Sequence, residues 1–294
     1  MNYNISSENL NNPLLKDLLK ELISFFGGIN VDFYVIGATA RDIILSNLHD
    51  LTPERKTVDL DIAIAINDWS QFQSIEENLP KKVGFEKNKE QKQRFIYKGV
   101  YIIDIVPFGD VAKDDGNIYW PPDETVAMSV WGFSEMADST ISVEIDGEFS
   151  IEIASLPGLF ILKLVAWKDR HLSGSKDAYD IALLLTNYLD INTERAVEDH
   201  YDLYEMDKID QVIAGAQLMA RDIKLLIRDN QKTLEYLREI LTKEIELAEE
   251  SRLINQLVES ETRLQYEQVF ACLESILNEW SKGVDYSYYY EENE

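Results

Sequence analysis

The segment Thr57-Val58-Asp59-Leu60-Asp61-Ile62-Ala63-Ile64-Ala65-Ile66 constrains this chain more than any other. Side chains of a β-strand alternate between its faces, so Val58, Leu60, Ile62, Ile64 and Ile66 share one face. The other face carries Asp59 and Asp61, followed only by the small Ala63 and Ala65. A strand this apolar belongs inside a sheet, where two adjacent carboxylates repel each other and lose hydration. A divalent cation is the simplest compensation, and the pair points to a metal-dependent enzyme.

A later strand carries a matching carboxylate. In Tyr101-Ile102-Ile103-Asp104-Ile105-Val106 the lone charge is Asp104, and a buried Asp is costly unless it is paired or binds metal. If the two strands are neighbours, three carboxylates converge as a two-metal phosphoryl- or nucleotidyl-transfer site requires. Upstream, Phe33-Tyr34-Val35-Ile36 runs into Gly37-Ala38-Thr39-Ala40-Arg41-Asp42, a strand, a small-residue turn and a helix start. Free backbone N–H groups and the helix dipole make such a turn a phosphate cradle. Each piece has a plainer explanation: capping chemistry for Asp-x-Asp, a salt-bridged core residue for Asp104, conformational freedom for Gly37. Their succession in this order favours a single site.

With Gly37, Asp59, Asp61 and Asp104 in place, residues 30–110 resemble the nucleotidyltransferase superfamily that includes DNA polymerase beta. Ala38 stands where Gly or Ser is usual, and Thr39 is the nearby hydroxyl. A second tier follows. Lys163 lies in the apolar helical run Leu159 to Trp167, and Lys176-Asp177-Ala178-Tyr179-Asp180 sets Asp177 and Asp180 one turn apart on one helix face. Residue by residue this reads equally as a snorkelling lysine and as acids at a helix start. A helix lysine followed by Lys/Arg-Asp-x-x-Asp also resembles the AbiEii/AbiGii nucleotidyltransferases, the toxins of type IV toxin–antitoxin systems, and extends the resemblance to about residue 190. It implies an Mg²⁺-dependent enzyme (two ions, with Mn²⁺ as a substitute) that binds a nucleoside triphosphate and transfers a nucleotide to an acceptor hydroxyl. A tRNA acceptor and a cognate antitoxin are implied in the same way. On this reading Asp59, Asp61 and Asp104 bind metal, with Asp104 also the base. Gly37, Ala38 and Thr39 cradle the triphosphate, Arg41, Lys163 and Lys176 neutralise it, and Asp177 and Asp180 complete the nucleotide site. The Gly37–Asp42 turn is similar to that of tRNA CCA-adding enzymes too, yet no later Arg-Arg-Asp or Glu-Asp-x-x-Arg motif follows; Glu198-Asp199-His200-Tyr201-Asp202 lacks the arginine.

The formal net charge of -26 opposes a broad nucleic-acid footprint. Between residues 81 and 98 the balance reverses, with Lys81, Lys82, Lys87, Lys89, Lys92, Arg94 and Lys98 against Glu86 and Glu90. That stretch is either a solvated basic face or a strip for a polyanion. The acidic remainder leaves two further readings: an aminoglycoside-type enzyme with a small polycationic acceptor, and a catalytically silent acidic helical scaffold for a basic partner. No stretch is apolar enough to span a membrane, Met1-Asn2-Tyr3-Asn4 lacks a secretory pattern, and the single Cys272 suits a reducing cytoplasm. Cys272 sits in an amphipathic helix as a packing residue, and His49, His171 and His200 show no metal spacing.

The predicted class is α+β: a nucleotidyltransferase core of mixed β-sheet flanked by helices, with an all-helical C-terminal region. Helical spacing runs from Leu14 to Phe26 and stops at Gly27-Gly28, a strand covers Val31 to Ile36, and Thr39 caps a helix with Asp42 at the capping-box position. Asn67 caps a helix bearing Trp69, Phe72 and Ile75; hairpins turn at Lys98-Gly99 and Asp146-Gly147. Pro157 opens a helix that passes Trp167, another runs from Ser175 to about Tyr188, and amphipathic helices extend from about Asp207 to Trp280. Residues 1–195 form the catalytic domain, with motifs at 30–110 and 155–190. Residues 196–294 form the helical region with its acidic, tyrosine-rich tail, the boundary lying between about Asp190 and Asp207.

Overall fold

The computed structural model describes residues 3–10, 12–49, 51, 59–204 and 210–282. Val58, Asp207 and the acidic tail lie outside the described residues. The chain divides into two compact units, Met1–Leu162 and Lys163–Glu294.

In the first unit β1 (Tyr3–Ile5) precedes α1 (Pro13–Ile29), whose N-cap Asn12 accepts a hydrogen bond from the Leu14 N–H at 2.9 Å. Its buried face carries Leu15, Leu18, Leu19, Leu22, Phe25 and Phe26. The helix passes through Gly27-Gly28 instead of stopping there. It ends at Asn30, which takes the left-handed conformation at φ 53 and ψ 50. A helix end needs one residue that tolerates this region, and Asn does so nearly as well as Gly.

The elements β2 (Phe33–Ile36), α2 (Gly37–Asp42), β3 (Asp59–Ile66), α3 (Trp69–Asn78), β4 (Phe85–Lys87), β5 (Arg94–Tyr97) and β6 (Tyr101–Gly109) follow. The cap of α3 is Asp68, not Asn67: its carboxylate accepts from the Ser70 N–H at 2.7 Å. After a small ladder of β7 (Asn117–Tyr119) and β8 (Ala127–Ser129) come α4 (Phe133–Ala137), β9 (Ile141–Ile145) and β10 (Phe149–Ile153). Asp146-Gly147 joins the last two with positive φ at both residues, the geometry of a tight hairpin turn.

Eight strands make one mixed sheet in the order β1-β9-β10-β2-β3-β6-β5-β4. β3 lies inside it, antiparallel to β2 and parallel to β6. Leu60, Ile62, Ile64, Ile66, Ile103 and Ile105 are buried. The α+β class with a mixed sheet and a helical C-terminal region is therefore as predicted.

A long helix, α5 (Leu156–Arg170), crosses the division between the units. The second unit continues with α6 (Lys176–Ile191), α7 (Thr193–Asp199), α8 (Gln211–Leu226), α9 (Gln231–Glu246), α10 (Arg252–Ser260) and α11 (Tyr266–Ser281). α8 packs against both α6 and α11, and α10 against α6. Within the second unit α6 packs with the helices that follow it. No helix among the described residues is long and apolar enough to cross a membrane.

Candidate active site

The sheet register assembles the site. Paired residues on neighbouring strands project to the same face. Asp61 is the partner of Ile36 on β2 and of Asp104 on β6, and Asp104 is in turn the partner of Arg94 on β5. Asp59, two residues from Asp61 and opposite Ile102, shares that face. All three sequence-predicted carboxylates therefore lie on one side of the sheet, partly exposed, while Leu60, Ile62, Ile103 and Ile105 bury the other.

α2 begins directly at Gly37, where β2 ends. Gly37 has φ +66, and a Cβ built on it would collide with the Asp61 carboxylate. Only glycine meets both demands, so this residue brings the turn against the carboxylate. Thr39 is not the N-cap that its spacing suggests. It lies within the first turn, and its Oγ1 donates to the Asp59 carbonyl at 3.2 Å, tying α2 to the start of β3. Arg41 also departs from expectation. It is 1 % exposed, and its Nε donates to Asp42 at 2.8 Å. A guanidinium buried this far requires an adjacent counter-charge, and Asp42 supplies one.

Asp104 is held by an arginine. Arg94 grips it at two points, Nε to Oδ1 at 2.8 Å and an Nη to Oδ2 at 2.7 Å. This is the forked geometry that a guanidinium makes with a carboxylate. The Asp104 hydrogen bonds raise the Arg94 guanidinium above its usual value against partial burial, and the charges of Asp104, Asp59 and Asp61 add to the effect. Burial, then Asp59 and Asp61, push the neighbouring Tyr101 hydroxyl up to about 12. Three aspartates on one face offer the hard oxygen donors that Mg²⁺ or Mn²⁺ prefers. Even so, no three His, Cys, Asp or Glu side chains among the described residues are grouped as a metal-holding cluster. Asp59, Asp61 and Asp104 thus share strand register and face, and Arg94 contacts both oxygens of Asp104.

The sequence did not single out Arg94 beyond its membership of a basic stretch. A parity signal was present: Arg94 and Asp104 flank a hairpin, and a shared face depends only on the turn length. Lys98 and Gly99 have positive φ, and the ladder begins at Tyr97 and Tyr101, leaving Val100 outside it. One residue fewer would set Arg94 opposite Ile103. The rest of the basic stretch disperses. Lys87 lies over the Phe95 ring and pairs with Glu76, Lys98 pairs with Asp17, and Lys82 and Lys89 are exposed.

In the second unit Lys163, Asp177 and Asp180 come together. Lys163 Nζ lies 3.3 Å from Asp177 Oδ1 and also pairs with Asp180. Arg170 grips Asp177 at 2.7 and 2.8 Å. Asp177 and Asp180 are buried, and Lys176, the first residue of α6, is exposed. Burial would raise the Asp177 carboxyl, but the Arg170 hydrogen bond and the Lys163 charge outweigh it and hold it below the usual range. The lysine neither snorkels nor stands alone. Cys272 is buried, and burial pushes its thiol up to about 12, which suits packing.

The family model described as the nucleotidyl transferase AbiEii toxin of type IV toxin–antitoxin systems matches residues 24–271. Among solved structures, an antigenic nucleotidyltransferase-like protein from Paracoccidioides brasiliensis is similar at 16% identity and a TM-score of 0.40, with 79% of this chain and 94% of that one covered. No curated protein sequence matches this chain.

Proposed function

This chain belongs to the AbiEii family of nucleotidyl transferase toxins, and on that premise we propose that it transfers a nucleotide from a nucleoside triphosphate to a tRNA hydroxyl with the help of Mg²⁺. Nucleotide transfer is the activity in the family's own description, which also places its members in type IV toxin–antitoxin systems. A cognate antitoxin is accordingly part of the proposal.

The observation that carries the reading is the register Ile36–Asp61–Asp104, with Gly37 pressed against the Asp61 carboxylate. It sets the Gly37 turn beside carboxylate oxygens on one sheet face. Asp59, Asp61 and Asp104 would hold the cations. When bound, these ions supply charge neutralisation for the triphosphate and polarise the attacking hydroxyl. The backbone N–H groups of Gly37, Ala38 and Thr39 orient the phosphates. Asp104 accepts the proton of the acceptor hydroxyl as its oxygen bonds to the α-phosphorus. The α–β phosphoanhydride bond breaks, and pyrophosphate leaves. Lys163, Lys176, Asp177 and Asp180 enter the proposal through their motif alone.

A small polycationic acceptor is the second reading, favoured by the net charge of -26. One experiment tests both. The protein is incubated with each labelled nucleoside triphosphate and Mg²⁺, with a tRNA pool or an aminoglycoside as acceptor. We expect label in tRNA, and Asp61→Asn should abolish it while leaving the circular dichroism spectrum unchanged. Transfer by Asp61→Asn at the wild-type rate would refute the site, and label only on the aminoglycoside would select the second reading.

A further inference from the structure

The fork of Arg94 on Asp104 occupies both oxygens of a carboxylate that the proposed chemistry needs. We propose that Arg94 is an internal competitor of the divalent cation: it must release Asp104 before that carboxylate can serve as a ligand, and so it lowers cation affinity. The inference rests on Asp59, Asp61 and Asp104 being the cation site, and it assigns a positioning role to a residue outside that set.

Three observations support it. First, the contact is specific in both distance and register. Arg94 and Asp104 are directly paired across β5 and β6, so the two side chains meet without backbone adjustment. Second, the register sets Asp104 beside Asp61, so Arg94 stands at an acidic face that also carries Asp59. A single guanidinium therefore offsets the repulsion that a divalent ion would offset. Third, the pair is not sealed from water. The Arg94 side chain is 25% exposed and that of Asp104 13%, so a released guanidinium reaches water by rotating its own side chain. Two cations that bind one carboxylate exclusively are linked: each weakens the other by the same factor. Once released, the guanidinium remains beside the site as a positive group suited to an anion such as a phosphate.

Mn²⁺ binding in the absence of nucleotide, followed by electron paramagnetic resonance of the free ion, tests this independently of turnover. Arg94→Gln should bind Mn²⁺ about tenfold more tightly than wild type, a coupling of ordinary size. Arg94→Lys keeps the charge but loses the fork, so it should fall between the two, and it serves where Arg94→Gln does not fold. Without metal, Arg94→Gln should also melt lower than wild type, since Asp104 is then left beside Asp61 with no cation. Added Mn²⁺ should raise its melting temperature by more than it raises that of wild type. Equal or weaker Mn²⁺ binding by the folded Arg94 variants, with binding still lost in Asp61→Asn, would overturn the competition and leave the proposed function intact. Absence of Mn²⁺ binding by wild type itself would overturn both.

Discussion

Gly37 shows how much one residue can decide. Its φ of +66 lies where side chains are disfavoured, and the space a Cβ would fill belongs to the Asp61 carboxylate. Gly37→Ala therefore has two costs, backbone strain of about 1 kcal/mol or more and displacement of Asp61 or of the turn. We expect a loss of roughly 1–3 kcal/mol in urea unfolding and a far larger proportional loss of nucleotide transfer. A variant with wild-type kcat would show that the close approach of turn and carboxylate has no catalytic consequence. Arg41 makes the converse point. Its charge and position suggest a phosphate contact, and in the fold it is buried with Asp42 as an adjacent counter-charge.

At the scale of elements, α5 and α6 are joined by charge. Lys163 on α5 meets Asp177 and Asp180 on α6, and Arg170 closes over Asp177. Removing one partner of a buried ion pair strands the other, at a cost of about 3 kcal/mol or more. Lys163→Met should destabilise the protein by that amount at neutral pH in urea titrations. The pH dependence follows from the direction of the Asp177 shift. Its folded carboxyl titrates below its unfolded value, so its stabilisation is present above about pH 4 and disappears as pH falls through the folded value. The difference between wild type and Lys163→Met should narrow over that acid range. A constant difference down to the lowest pH at which both remain folded would mean that packing, not charge, sets the cost. The β5–β6 hairpin illustrates the same scale differently. Val100, left outside the ladder, determines which side chain meets Asp104.

For the whole molecule the dominant quantity is charge, with 54 Asp and Glu against 28 Lys and Arg. Like charges spread over a folded surface repel, and salt screens them over a Debye length of about 10 Å at ~0.1 M. The melting temperature should therefore rise by several degrees as monovalent salt increases from about 0.01 M to about 0.2 M. A melting temperature that falls with salt would show that local ion pairs, such as those of Lys16 with Asp146 and Glu148, outweigh the general repulsion.

The α+β class, the strand bearing Asp59 and Asp61, the hairpins at Lys98-Gly99 and Asp146-Gly147, and the succession of C-terminal helices were all legible in the sequence. These depend on local periodicity and on turn residues whose backbone preferences act over a few positions. The sharing of one face by Asp59, Asp61 and Asp104 was legible only as a condition on which strands are neighbours, and the sheet order met that condition. Helix ends were less legible, because Asn30 and Asp68 competed with nearby residues of similar capping ability. Tertiary structure alone decided the counter-ions: Arg94 for Asp104, and the grouping of Lys163 and Arg170 around Asp177. Sequence periodicity fixes which face a side chain takes, whereas an ion pair depends on register between strands and on the approach of helices. Those are settled when the whole chain packs, and a shift of one residue changes the partner.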